Sequence, residues 1–263
     1  MSIHGRSIEE TINVPALHSD SHVFKTQLKA SERNGGHLEE LRQEIRQPEN
    51  AMARTMGNPT PIALAAFVLT TTPVSCALMG WRGAGGGGIG LSAAMIIMGG
   101  LTVWVCGILE FSLGNIFPSV VFCVFGGFFS TFGCTMVPFF NAAGMFNTKS
   151  LLKVHPEFQN TYAFLFVSMD IMILFFTICS CRINVVFVTL FASLFMVFAC
   201  LSGAYWRLGL GDTTIGIRLT IGGGASLFVS SITGWYLLFV QLLDSVGFPP
   251  ILPLGDLTRF WSR

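Results

Sequence analysis

Two short stretches set an asparagine and a proline just ahead of an oily run. The first is Gly57-Asn58-Pro59-Thr60-Pro61-Ile62-Ala63-Leu64, and the second runs from Gly107 through Glu110 and Gly114 to Asn115-Ile116-Phe117-Pro118. Asparagine is a good helix cap, and proline has a fixed φ and no N–H to lose in a first turn, so each stretch reads as a helix start. Such a start carries free N–H groups and the positive end of the helix dipole. Inside a bilayer it makes a place for an anion, as in transporters with broken helices; at the membrane surface it is an ordinary cap. Asn58 and Asn115 are therefore candidates to orient an anion.

The ionisable residues in or beside the apolar runs are Glu110, Asp170, Arg182, Arg207, Arg218 and Asp244. Most stand at the ends of runs, within reach of headgroups. Asp170 stands mid-run, in Val167-Ser168-Met169-Asp170-Ile171. A carboxyl there costs about 2.5 to 3.5 kcal/mol on insertion scales unless it faces a partner or a wet cavity. It is either a proton-handling group or an aspartate paired in a packed interface. Glu110 and Asp170 are the two candidates for proton coupling.

Other chemistries lack their residues. Gly83-x-Gly85-x-x-Gly88 matches the dinucleotide fingerprint as a string, but no strand precedes it and no Lys-Ser/Thr follows, so it reads as a turn between spans. Gly-x-Ser-x-Gly and His-Glu-x-x-His are missing, and all five histidines lie outside the apolar runs, which leaves no intramembrane nucleophile and base. The seven cysteines fall inside apolar stretches, where they read as packing residues, and Cys179-x-Cys181 has neither a second pair nor a nearby histidine to hold zinc. No enzyme, metal or other cofactor is expected, and a net charge of +1 without a basic cluster indicates no nucleic-acid partner.

The elements that position these residues follow from composition. The chain of 263 residues is 52% hydrophobic and only 11% charged, against roughly 25% charged in a soluble domain. About half of the charged residues fall at or before Arg54. Residues 1–56 form a polar tail, read as disordered over 1–36, with a short amphipathic helix near 37–48 where Leu38, Leu41 and Ile45 recur at helical spacing. That helix either lies on a membrane surface or neighbour, or is solvated and held by i,i+4 charge pairs. The first twenty residues contain no apolar core of signal-peptide length, so the first span acts as its own signal.

Six apolar runs follow, near 61–81, 89–109, 116–140, 161–181, 183–206 and 219–243, each long enough for a hydrocarbon core that needs about 20 helical residues. None shows the period-two polarity of a barrel strand. The expectation is an all-α membrane protein: a six-helix bundle over 57–245, in contact with the lipid bilayer, and a short C-terminal tail over 246–263. Little more than Arg182 separates the fourth and fifth runs, which requires a tight antiparallel hairpin. Glycines recurring along the spans are expected to let helices pack closely. Lys and Arg residues divide evenly between the two sides and set no orientation. The long charged tail without an export signal favours both termini in the cytoplasm, at the plasma membrane.

Together these motifs resemble the acetate uptake transporter family, which includes bacterial succinate/acetate permeases and fungal acetate permeases and glyoxylate-pathway regulators. Its signature Asn-Pro-Ala-Pro-Leu-Gly-Leu is matched by Asn58 to Leu64, with Phe67 and Thr70-Thr71 following. Its Gly-Leu-x-Glu and Gly-Asn-Thr-Phe boxes are matched by Gly107 to Glu110 and Gly114 to Phe117. The end Leu252-Pro253-Leu254-Gly255 is similar to that of fungal members. The resemblance covers about residues 57–257, and the long polar tail looks fungal.

It implies six helices per subunit, a homohexamer, and a passage in each subunit for small monocarboxylates such as acetate, with a proton or channel-like. Asn58, Thr70 and Asn115 are then the substrate-binding set, and Phe67 and Phe125 the apolar constriction. This chain departs from the family pattern at Thr60, Ala63 and Ile116. It also has Phe125 where a tyrosine precedes the glycine, here Gly126, and Asp170 where an uncharged residue is expected. The alternative is a membrane sensor or regulatory scaffold that keeps the fold without transport, with the charged tail as its signalling part.

Overall fold

The computed structural model describes residues 57–142, 156–248 and 252–257. The polar tail, with the short helix expected near 37–48, lies outside the described residues. Within them the chain forms six helices: α1 Thr60–Met79, α2 Gly86–Ser112, α3 Ile116–Met136, α4 Pro156–Ser180, α5 Val185–Gly209 and α6 Thr213–Ser245, each long and apolar enough to cross a membrane. No strand occurs among the described residues. Helices suit this solvent because every backbone N–H and C=O is satisfied within the segment.

Local residues explain where the helices begin and end. Asn184 caps α5 by accepting from the Phe187 N–H at 2.8 Å, which closes the α4–α5 hairpin around Arg182. Asp212 caps α6 in the same way, accepting from the Ile215 N–H at 3.1 Å. With that cap the sixth helix begins well before the apolar run at 219, and Arg218 lies exposed on its surface. Gly80, at φ 73°, ends α1 in the left-handed conformation that glycine adopts without penalty.

α4 packs on α5, α5 on α6, α6 on α1, α1 on α2 and α2 on α3. The ring is completed between α3 and α4 by side chains: Phe128 and Phe132 of α3 meet Phe166 of α4 at 6.2 and 5.9 Å between ring centroids. A cavity therefore remains inside the ring. Outward faces carry Leu69, Trp104, Ile171, Phe175, Met196, Ile232 and Phe239, all exposed, as lipid-facing positions would be.

Two seams hold the wall of the cavity in place. Between α2 and α3, a Cβ added at Gly126 would stand 2.7 Å from the Trp104 backbone nitrogen and 2.9 Å from the Gly100 carbonyl oxygen. Only glycine allows these backbones so close. Between α6 and α1, the Thr72 hydroxyl donates to the Val68 carbonyl at 2.6 Å, lies 2.5 Å from the Ser231 hydroxyl and accepts from the Trp235 indole at 3.0 Å. With Met95 turned into the cavity lining, α2 winds as a π-helix over Met95–Thr102, a widened form frequent at functional sites.

The short segment 252–257 is pinned to the end of the bundle where α1 begins. The Val185 N–H donates to the Gly255 carbonyl at 2.9 Å, the Leu257 N–H to the Ile183 carbonyl at 3.2 Å, and the Tyr236 hydroxyl to the Pro253 carbonyl at 2.8 Å.

Candidate permeation site

The end of α2 and the starts of α1 and α3 meet at one side chain. α2 ends at Ser112, and Gly114 at φ 81° turns the chain so that the Asn115 N–H returns to the Glu110 carbonyl at 2.9 Å. The Asn115 side-chain amide then donates to Glu110 Oε2 at 2.7 Å, and the Thr60 hydroxyl donates to Glu110 Oε1. Glu110 is 0% exposed, although Asn115 is exposed. A carboxyl group buried in this way requires donors for both oxygens, and it has them. The two helix starts singled out from sequence are thus brought together, with a carboxyl of the chain itself between them.

Asn58 lies beside this cluster. Its Oδ1 accepts from the Thr60 N–H at 3.0 Å, so its carbonyl satisfies a free donor of α1 from just outside the helix, while Pro59 stands at the cap position. Thr70 is fully buried and its hydroxyl donates to the Ala66 carbonyl one turn back at 2.8 Å.

Farther along α1, Phe67 is about 10 Å from Thr60 at the helical rise of about 1.5 Å per residue. Its ring packs edge-on against Phe125 at 6.1 Å and Phe129 at 6.3 Å. Phe125 in turn touches Phe176, at 6.3 Å, and Phe176 meets Phe117 and Phe191 at 6.0 and 5.7 Å. Phe67 and Phe125, expected as a constriction, therefore belong to a larger aromatic stopper filling the middle of the bundle. Edge-to-face ring pairs of this kind contribute about 0.5–1.5 kcal/mol each beyond area burial.

Beyond the stopper lies a cavity of about 270 Å³ to which all six helices contribute. Phe125, Phe128, Phe129, Phe132 and Phe166 form its aromatic wall, with aliphatic side chains from α1, α5 and α6 opposite; Tyr205, Gln159 and Thr220 are polar groups in the lining. Phe125, Phe128, Phe129 and Phe132 follow an i, i+3, i+4, i+7 pattern that places them on one helical face. That stripe was available in the sequence beside Phe125 itself. Tyr205 and Phe166, 4.9 Å apart between centroids, come from different helices and carried no comparable signal.

Neither carboxyl considered for proton coupling lines this cavity. Glu110 is held by its two donors on the far side of the stopper. Asp170 is half-buried on α4, and its Oδ1 is shielded from solvent with no hydrogen-bond partner among the described residues. Among the described residues no group of three His, Cys, Asp or Glu side chains is placed to hold a metal ion.

Six helices long and apolar enough to span, set around a stoppered apolar chamber, define an integral membrane protein. The chain belongs to the GPR1/FUN34/yaaH family, whose sequence profile matches residues 42–255. This is the group its motifs resemble. It is 52% identical over 223 residues to Protein alcS of Aspergillus fumigatus, covering 83% of this chain and 82% of that one. It is 28% identical over 213 residues to Acetate transporter protein patA of Aspergillus clavatus, covering 79% and 81%. Among solved structures the bacterial acetate channel SatP matches with a TM-score of 0.54 at 22% identity, covering 76% of this chain and 99% of that one. At that identity the likeness establishes the fold.

Proposed function

We propose that this protein carries small monocarboxylates such as acetate across the plasma membrane together with a proton, as a homohexamer with both termini in the cytoplasm. The observation that carries this reading is the internal cavity walled by all six helices and stoppered by Phe67 and Phe125. A chamber lined by rings, with few polar groups, suits a short acid. The printed names of patA and of the bacterial channel support acetate as the first substrate to try. In this reading Asn58 and Asn115 organise the approach of the substrate at the α1 and α3 starts, Phe67 and Phe125 are the gate, and Thr70 is the substrate-binding position farther along α1, past Phe67.

One observation favours the alternative of a regulatory scaffold: both gate rings are buried, which leaves the passage shut. Expression of the full chain and of a chain lacking residues 1–50 in cells without their own acetate permeases separates the two. A transporter gives pH-dependent uptake of labelled acetate with either chain. A scaffold gives none with either.

A further inference from the structure

We infer that the permeant crosses the aromatic chamber as the neutral acid, its proton travelling on the substrate's own carboxyl group. This rests on the transport reading above and names the form of the molecule that the same cavity accepts.

Moving a carboxylate into a low-dielectric interior is opposed by the loss of its hydration unless a cation or several donors replace the water. Among the described residues no cation lines the chamber, and its unengaged donors are those of Tyr205 and Gln159. The cations among the described residues are Arg82, Arg182, Arg207 and Arg218; all four are exposed and none lines the cavity. The rest of its lining is mainly aromatic and aliphatic side chains, which give an anion no hydrogen bond in place of its water.

The described titratable groups around the passage supply no proton relay through it. Among the described residues at membrane depth these are Glu110, Asp170, Tyr162, Tyr205, Tyr236 and the cysteines, and of them only Tyr205 lines the cavity. Glu110 is engaged by Thr60 and Asn115. Tyr162 is 3.2 Å from the Thr135 hydroxyl. Asp170 and Cys200 lie on α4 and α5 outside the lining.

The polar groups that do line the chamber are uncharged. Tyr205 and Gln159 make no side-chain hydrogen bond among the described residues, and between them they offer donors and an acceptor. Those match a neutral carboxylic acid, which has one O–H to donate and one carbonyl to accept. The volume of about 270 Å³ corresponds to roughly nine water molecules at about 30 Å³ each, room for an acid of several carbons.

The test uses the full chain in proteoliposomes, with flux through protein-free vesicles subtracted. Acetate is compared with trifluoroacetate, a near-isostere that stays ionised between about pH 6 and 8. Well above its pKa the neutral fraction of an acid changes about tenfold per pH unit. Acetate flux at constant total concentration should therefore fall about tenfold per unit rise in pH, without a membrane current, and trifluoroacetate flux should be absent. Asp170→Asn should keep that slope, whatever its rate. Comparable trifluoroacetate flux, acetate flux flat with pH, or a slope lost in Asp170→Asn would overturn the inference and leave the transport reading standing. Flux no greater than that of protein-free vesicles for every acid would remove both.

Discussion

Glu110 and Asn115 hold each other twice: the Asn115 N–H reaches the Glu110 carbonyl at 2.9 Å and its side-chain amide reaches the Glu110 carboxyl at 2.7 Å. Thr60, fifty residues earlier, completes the arrangement by donating to the other carboxyl oxygen. One buried acid thereby ties three helix ends together at one end of the bundle. An anion approaching these helix starts meets a side chain that already uses the Asn115 amide donor.

This linkage makes a first prediction. Glu110→Ala leaves the Asn115 amide and the Thr60 hydroxyl without their acceptor, and should destabilise the protein by about 1–3 kcal/mol. Asn115→Ala should cost a comparable amount. Because they share one network, a double-mutant cycle from thermal unfolding in detergent should show non-additivity of about 0.5–3 kcal/mol. Strict additivity would mean the pair is not coupled.

The α2–α3 seam provides a second. At Gly126 an added methyl meets the Trp104 backbone 2.7 Å away, whereas at neighbouring Gly127 nothing lies within 4 Å. Gly126→Ala should lower stability by about 1–3 kcal/mol through overpacking. Gly127→Ala should be neutral or raise stability by up to about 1 kcal/mol through helix propensity. Melting temperatures of the two purified variants decide it, and equal shifts would contradict the close approach.

Much of the bundle was legible because a bilayer leaves the backbone few choices. The six apolar runs became six helices, and Arg182 marked a real hairpin. The ends were harder to read. α4 already includes Glu157, Gln159 and Asn160, polar residues that hydropathy does not assign to a span, and α6 gains its first turns from the Asp212 cap. At the site, Glu110 and Asn115 were visible as a local motif. Thr60 as a partner of Glu110 was not, because fifty residues separate them and only the packing of α1 beside α2 brings them together. Phe67 and Phe125 came from the family pattern, while the stripe of Phe128, Phe129 and Phe132 needed only helical spacing. Phe166 and Tyr205 depended on how α4 and α5 face the ring, which no local pattern records.

Asp170 leads to a third prediction. Its shielded Oδ1 has no partner among the described residues, so replacing the carboxyl with a hydrocarbon of similar size removes an uncompensated burial. Asp170→Leu should raise stability by about 1–3 kcal/mol. A fall in melting temperature would show that the carboxyl has a stabilising partner.

Phe125 leads to a fourth. Truncating this ring, 4% exposed and packed against Phe67 and Phe176, widens the stopper at a stability cost of about 3–5 kcal/mol. Among protein that still reaches the membrane, Phe125→Ala should pass acetate faster and admit longer acids that the parent chain excludes. Uptake of a panel of labelled straight-chain acids, normalised to surface protein, measures both. Unchanged chain-length selectivity would place the constriction elsewhere.

The most direct test of the account fills the chamber without touching either end of it. Leu201 lines the cavity and is nearly buried, and Leu201→Trp occupies much of its volume. In cells lacking other acetate permeases, labelled acetate uptake should be strong with the parent chain and nearly abolished with Leu201→Trp at equal surface abundance. Parent-level uptake through that variant would contradict a passage running through this chamber.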